Sequence, residues 1–192
     1  MKILFVTLVS FIFCFVSAAA EEADYPIAKV SFEDYKNLVE KVEAHRADRL
    51  IDLDTFLKMS KKDGVIILDT RSKFRFDRIH VKGAVHLNFS DFTQANLAQL
   101  IPSPDTTILI YCNNNFEGNQ RDFATKIVLP IVPKVTPTTQ FAAQAKPRMM
   151  ALNVPTYLNL YGYGYHNVYE LHELVNVEDP RIAFEGSIID KE

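Results

Sequence analysis

Two short apolar runs constrain how this chain can fold. Val65-Ile-Ile-Leu68 and Ile108-Leu-Ile-Tyr111 are continuous and mostly β-branched. A strand with one wet face alternates apolar and polar residues; a strand covered on both faces does not. Both runs therefore read as interior strands. Helical patterns stand around them. Phe32, Tyr35, Leu38, Val39 and Val42 recur at helical spacing and predict a helix over residues 32–45. A second helix follows Asp52 or Asp54 through Phe56, Leu57 and Met59. Residues 91–100 read as a helix ended by Pro102 and Pro104, and residues 151–160 as another, with Pro155 in its first turn. Residues 84–87 and 167–171 are further strand candidates, and Leu50-Ile51 a short extended piece. Strands alternating with helices predict an α/β domain with a mostly parallel central sheet.

Each apolar run ends in reactive chemistry. The first leads into Asp69-Thr-Arg71, the second into Cys112 and the polar segment Asn113-Asn-Asn-Phe-Glu-Gly-Asn119. Right-handed crossovers place both strand ends on one edge of the sheet, where open α/β sheets bind ligands. The only other cysteine, Cys14, falls in a segment expected to be removed, so the Cys112 thiol is either an inert buried side chain or a reactive site. Its place at a strand end favours reactivity. Asn113, Asn114 and Asn115 fit either a solvated turn or a loop using left-handed backbone. Asp69 and Arg71 suit an acid and an anion binder, but fit better as a structural pair buttressing the Cys112 loop.

The first 20 residues have the order of a secretory signal: Lys2, an apolar stretch over residues 3–16, small residues at Ser17-Ala-Ala-Ala20, then Glu21-Glu22. The apolar stretch is shorter than the ~20 residues a spanning helix needs. The expectation is an exported protein, periplasmic or secreted, without a membrane attachment after cleavage. Loss of Lys2 makes the formal charge of −3 one unit more negative. That balance, without a basic stripe, argues against nucleic-acid binding. The five histidines show no metal-ligand spacing, and neither metal nor cofactor is expected. The chain then divides into a linker and leading helix (21–49), a main domain (50–175) and a tail (176–192) in which Ile182 and Phe184 suit packing back. Residues 120–150, with Pro130, Pro133, Pro137 and Pro147, read as an irregular insert close to Cys112.

Three stretches resemble the rhodanese-like domain. The first is Val65-Ile-Ile-Leu-Asp-Thr-Arg71 with Phe76, Ile79-His80, Gly83-Ala84 and Leu87-Asn88. The second is the strand ending at Cys112. The third is Tyr163-Gly-Tyr-His-Asn-Val168-Tyr-Glu-Leu171. The resemblance implies a three-layer α/β/α rhodanese fold and a nucleophilic Cys112 that carries sulfur as a persulfide. Of the family's loop only the nucleophile carries over, onto Cys112; the segment Asn113, Asn114, Asn115, Phe116, Glu117 and Gly118 is the expected substrate-binding loop by its place after the cysteine, with Asp69, Arg71 and Arg121 as candidate support. The implied partner is a small sulfur-containing donor or acceptor, or a protein thiol. The chain departs from the family in carrying Glu117 where an Arg or Lys usually follows the cysteine by five residues. Gly118 stands where related phosphatases and arsenate reductases carry Arg. Glu117 is therefore expected to repel thiosulfate, and Glu117→Arg to improve its use.

Sulfur transfer or thiol redox chemistry at Cys112 is the leading expectation, making the chain a candidate sulfurtransferase. The alternative is a catalytically silent rhodanese-fold binding module. A phosphatase- or arsenate-reductase-like enzyme ranks third, because the loop lacks its arginine. Oligomeric state is not legible.

Overall fold

The computed structural model describes residues 26–128 and 148–189. The expected signal segment, Cys14 and most of the expected insert lie outside the described residues. The described residues from Phe32 onward form one compact unit.

The unit opens with α1 (Phe32–Ala47), whose inward face carries Val42. β1 (Leu50–Ile51) follows, then α2 (Leu53–Ser60). Of the two candidate caps for α2 it is Asp52 that serves, its Oδ1 accepting the Thr55 N–H at 2.7 Å. β2 (Ile66–Asp69) and β5 (Ile108–Tyr111) are the two apolar runs. Between them lie α3 (Lys73–Arg78), β3 (His80–Val81), β4 (Val85–His86), a 3-10 turn (Phe89–Asp91) and α4 (Gln94–Leu100). The helix expected over residues 91–100 is shorter, because Thr93 caps α4 by accepting the Asn96 N–H at 3.1 Å. After Cys112 come a 3-10 turn (Asn113–Asn115), β6 (Phe116–Glu117), β7 (Ile127–Val128) and β8 (Arg148–Met149). The chain continues through α5 (Asn153–Gly162), β9 (Val168–Leu171), β10 (Val175–Asn176) and β11 (Phe184–Glu185).

Five strands form one sheet in the order β1-β9-β5-β2-β4, and every pairing in it is parallel. Alternate residues of the interior strands feed opposite cores. Ile67, Leu109, Tyr111 and Leu171 join Leu53 and Phe56 of α2 on one face. Leu68, Ile108, Ile110 and Val168 meet Val42, Leu97, Tyr157 and Leu160 on the other, under α1, α4 and α5. This is the expected three-layer arrangement. The leading helix is one of its layers: Val42 is buried, and Arg46 of α1 holds the buried Glu170 of β9 with two bonds of 2.6 Å.

Two expected boundaries shift. The expected insert does not begin at residue 120, because Asp122 and Phe123 are buried, and Phe123 packs on Phe116 and Phe184. Large aromatic side chains bring enough apolar area to draw a loop into the core. β7 and β8 pair antiparallel, Ile127 opposite Met149, so the two ends of the remaining segment meet at one place. The tail is also structural: β10 pairs with β6, β11 pairs with β3, and Ile182 is buried. Gly186 makes that course possible, since a Cβ there would lie 2.6 Å from the Arg78 carbonyl oxygen.

Candidate functional site

β2 and β5 run side by side, with Asp69 opposite Tyr111. Their ends therefore lie together at the carboxyl edge. Asp69 and Arg71 are buried and bonded to each other through Nε at 3.0 Å and Nη2 at 2.7 Å. Arg71 also donates to the Ile79 carbonyl at 2.6 Å, and the Tyr111 hydroxyl donates to Asp69 at 2.6 Å. The Tyr111 oxygen accepts the Val81 N–H at 3.1 Å. Burial opposes the Arg71 charge, but the Asp69 carboxylate outweighs it and holds the guanidinium above its ordinary pKa. Burial first, then Asp69, pushes the Tyr111 phenol well above its ordinary value. Neither side of the pair is spare for catalysis; the pair ties β2, α3 and β5 together. His80 and His86 are likewise spent on structure: His80 Nδ1 lies 2.7 Å from the Phe76 carbonyl and His86 Nε2 lies 2.8 Å from that of Arg71.

Cys112 directly follows β5 and caps the 3-10 turn after it. Asn115 locks that turn: its Oδ1 accepts the Cys112 N–H at 2.9 Å, and its Nδ2 donates to the carbonyls of Leu171 at 2.7 Å and Glu173 at 3.2 Å. Cys112 is only 1% exposed. Its sulfur accepts the N–H of Leu152, the capping residue of α5, at 3.3 Å. Burial raises the thiol pKa; hydrogen bonds from the Leu152 and Asn113 backbones offset part of that rise.

A cleft of about 280 Å³ is lined by Cys112 together with Arg71, Ser72, Arg75, Asn113, Lys126, Met150 and Leu152. Of the six loop residues expected to bind substrate, only Asn113 lines it. Asn114 bonds the backbone of Lys126, and Asn115 is the clip just described. Phe116 is fully buried among Tyr111, Phe123 and Phe184. Glu117 and Gly118 leave along the β6–β10 pair, where the Glu117 carbonyl accepts the Val177 N–H and Gly118 takes φ +90°. The start of the turn stays at the sulfur through the Asn113 backbone, while the aromatic core draws the chain from Phe116 onward away from it. Arg121 is exposed, and its carbonyl accepts a bond from Arg75.

Arg71, an expected support residue, lines the cleft, and the other cations there come from outside the expected set. Arg75 sits on α3 one helical turn after Arg71, a spacing visible in the sequence. Lys126 and Met150 come from the two ends of the β7–β8 pair and carry no motif. The Leu152 N–H is a backbone group that only the course of the chain after the insert places there.

A family model of the rhodanese-like domain matches residues 52–173. The chain belongs to the rhodanese-like domain family. No curated protein matches it. Among solved structures it is similar to the BH2092 protein from Bacillus halodurans, at 19% identity and a TM-score of 0.31. The match covers 48% of this chain and 64% of that one, just under two thirds of its length.

Proposed function

We propose that this rhodanese-like protein performs thiol chemistry at Cys112 on a small anionic sulfur compound, by sulfane-sulfur transfer. One observation carries the reading: Cys112 lines a cleft together with Arg71, Arg75 and Lys126, and its sulfur receives a backbone N–H from the start of α5. The thiol first loses its proton to water. The thiolate then attacks the donor's sulfane sulfur; the new S–S bond forms as the bond to the leaving group breaks and its electron pair departs with that group. The resulting persulfide anion would take the same N–H and cationic surroundings. An acceptor thiolate, free or on a protein, removes the outer sulfur and returns Cys112 as a thiolate.

The test is mass spectrometry of the purified protein after exposure to sulfane-sulfur donors. A one-sulfur adduct on Cys112, absent in Cys112→Ser, supports the reading. A protein that stays unmodified with every donor overturns it.

One observation favours the silent binding module. The burial that raises the Cys112 pKa keeps the thiol protonated near neutral pH. That reading expects anion binding without an adduct. The composition of residues 1–20 further supports action outside the cytoplasm, which N-terminal sequencing of the exported protein would test.

A further inference from the structure

We infer that Lys126 is the group that selects anions at the Cys112 cleft, and that Asn114 is the residue that positions it. The inference rests on the proposed thiol site and assigns its specificity to residues outside the expected loop.

Asn114 lies two residues after Cys112, and its carboxamide behaves as a missing strand neighbour. Oδ1 accepts the Lys126 N–H at 2.7 Å, and Nδ2 donates to the Lys126 carbonyl at 3.0 Å. The same carbonyl accepts the Met150 N–H at 2.7 Å. Lys126 is therefore held by the cysteine turn on one side and by the returning chain on the other. This places it on the cleft that Cys112 lines.

The other two cations have prior engagements. Arg71 is buried against Asp69, and Arg75 donates to the Arg121 carbonyl. Lys126 is exposed, and among the described residues no acidic side chain lines the cleft. A lysine on a cleft whose described lining holds no carboxylate favours anions over neutral molecules of the same size. Its bearing depends on backbone that Asn114 fixes. Asn114 acts through Lys126, so it is a positioning residue.

The test uses sulfate as probe and protection of Cys112 from iodoacetamide as readout, at fixed ionic strength. Sulfate should protect the wild-type thiol. Lys126→Ala should raise the half-protecting sulfate concentration about tenfold, and Asn114→Ala by severalfold. In the Lys126→Ala background, Asn114→Ala should add less than twofold, because the effects of residues acting through one contact do not add. Asn114→Asp keeps the acceptor for the Lys126 N–H but sets a carboxylate against its carbonyl. It should behave like Asn114→Ala and serves if the alanine variant does not fold. Independent, multiplying effects of the two substitutions overturn the positioning role. Unchanged protection in Lys126→Ala, or none in the wild type, overturns the anion assignment. Persulfide formation scored on the same samples distinguishes that failure from failure of the thiol reading, which needs only Cys112.

Discussion

The sulfur of Cys112 lies 3.3 Å from the backbone nitrogen of Leu152, forty residues further along the chain. The nucleophile and the helix that faces it are thus brought together across the whole insert. Hydrogen bonds to the sulfur favour its charged form, whereas burial disfavours it. Leu152 has φ −79°, close to the angle proline requires. Leu152→Pro should remove this one donor, raise the Cys112 pKa further and slow alkylation at a fixed pH. Rate against pH, measured in both proteins, checks it; superimposed curves would show that the contact does nothing for the thiolate.

The raised pKa makes a prediction about stability. A thiol whose folded pKa lies above its unfolded value holds its proton more tightly when folded. The stabilisation is fully present below the unfolded thiol pKa, and is lost as pH rises through the folded one. Unfolding free energy should therefore fall across the alkaline range, and fall less in Cys112→Ser. Denaturant titrations on the two proteins at neutral and alkaline pH measure the difference.

Asp69 and Arg71 should behave as a buried unit. Arg71→Met leaves a carboxylate without its cation and should cost about 3–5 kcal/mol. Adding Asp69→Asn should restore part of the loss. Chemical denaturation of the three proteins tests this; a single substitution within the error of wild type would mean the pair is not buried in solution.

Phe123 should count as core. Its ring is fully buried between Phe116, Phe184 and the Arg71 guanidinium, which lies 4.4 Å from its centre. Phe123→Ala should destabilise the protein by about 3–5 kcal/mol. A change below about 1 kcal/mol would show that residues 120–126 lie outside the core.

Glu117 does not line the cleft, so the repulsion expected from its place in the sequence has no short path to act along. Glu117→Arg should leave thiosulfate binding within about twofold, the scale of a screened surface charge. Lys126→Ala should weaken it about tenfold. The opposite order would show that the loop faces the sulfur after all.

The sequence by itself determined the layers and the nucleophile's address. The runs ending at Leu68 and Tyr111 have side chains that must be covered on both faces, which forces interior parallel strands and sets Asp69 and Cys112 on one edge. It also determined that Asp69 and Arg71 would pair, two residues apart at a strand end. Helical periodicity revealed α1, but not that Arg46 would reach Glu170 in β9, since that bond depends on how α1 docks. The surroundings of Cys112 were decided only by tertiary structure. Spacing from the cysteine pointed to Glu117, yet three aromatic rings draw Phe116 inward and carry the chain away from the sulfur. Lys126, Met150 and the Leu152 N–H take the vacated positions because β7 pairs with β8 and Asn114 clips Lys126. Side-chain periodicity is a local property of the chain. Contacts between residues forty apart are settled only when the core closes.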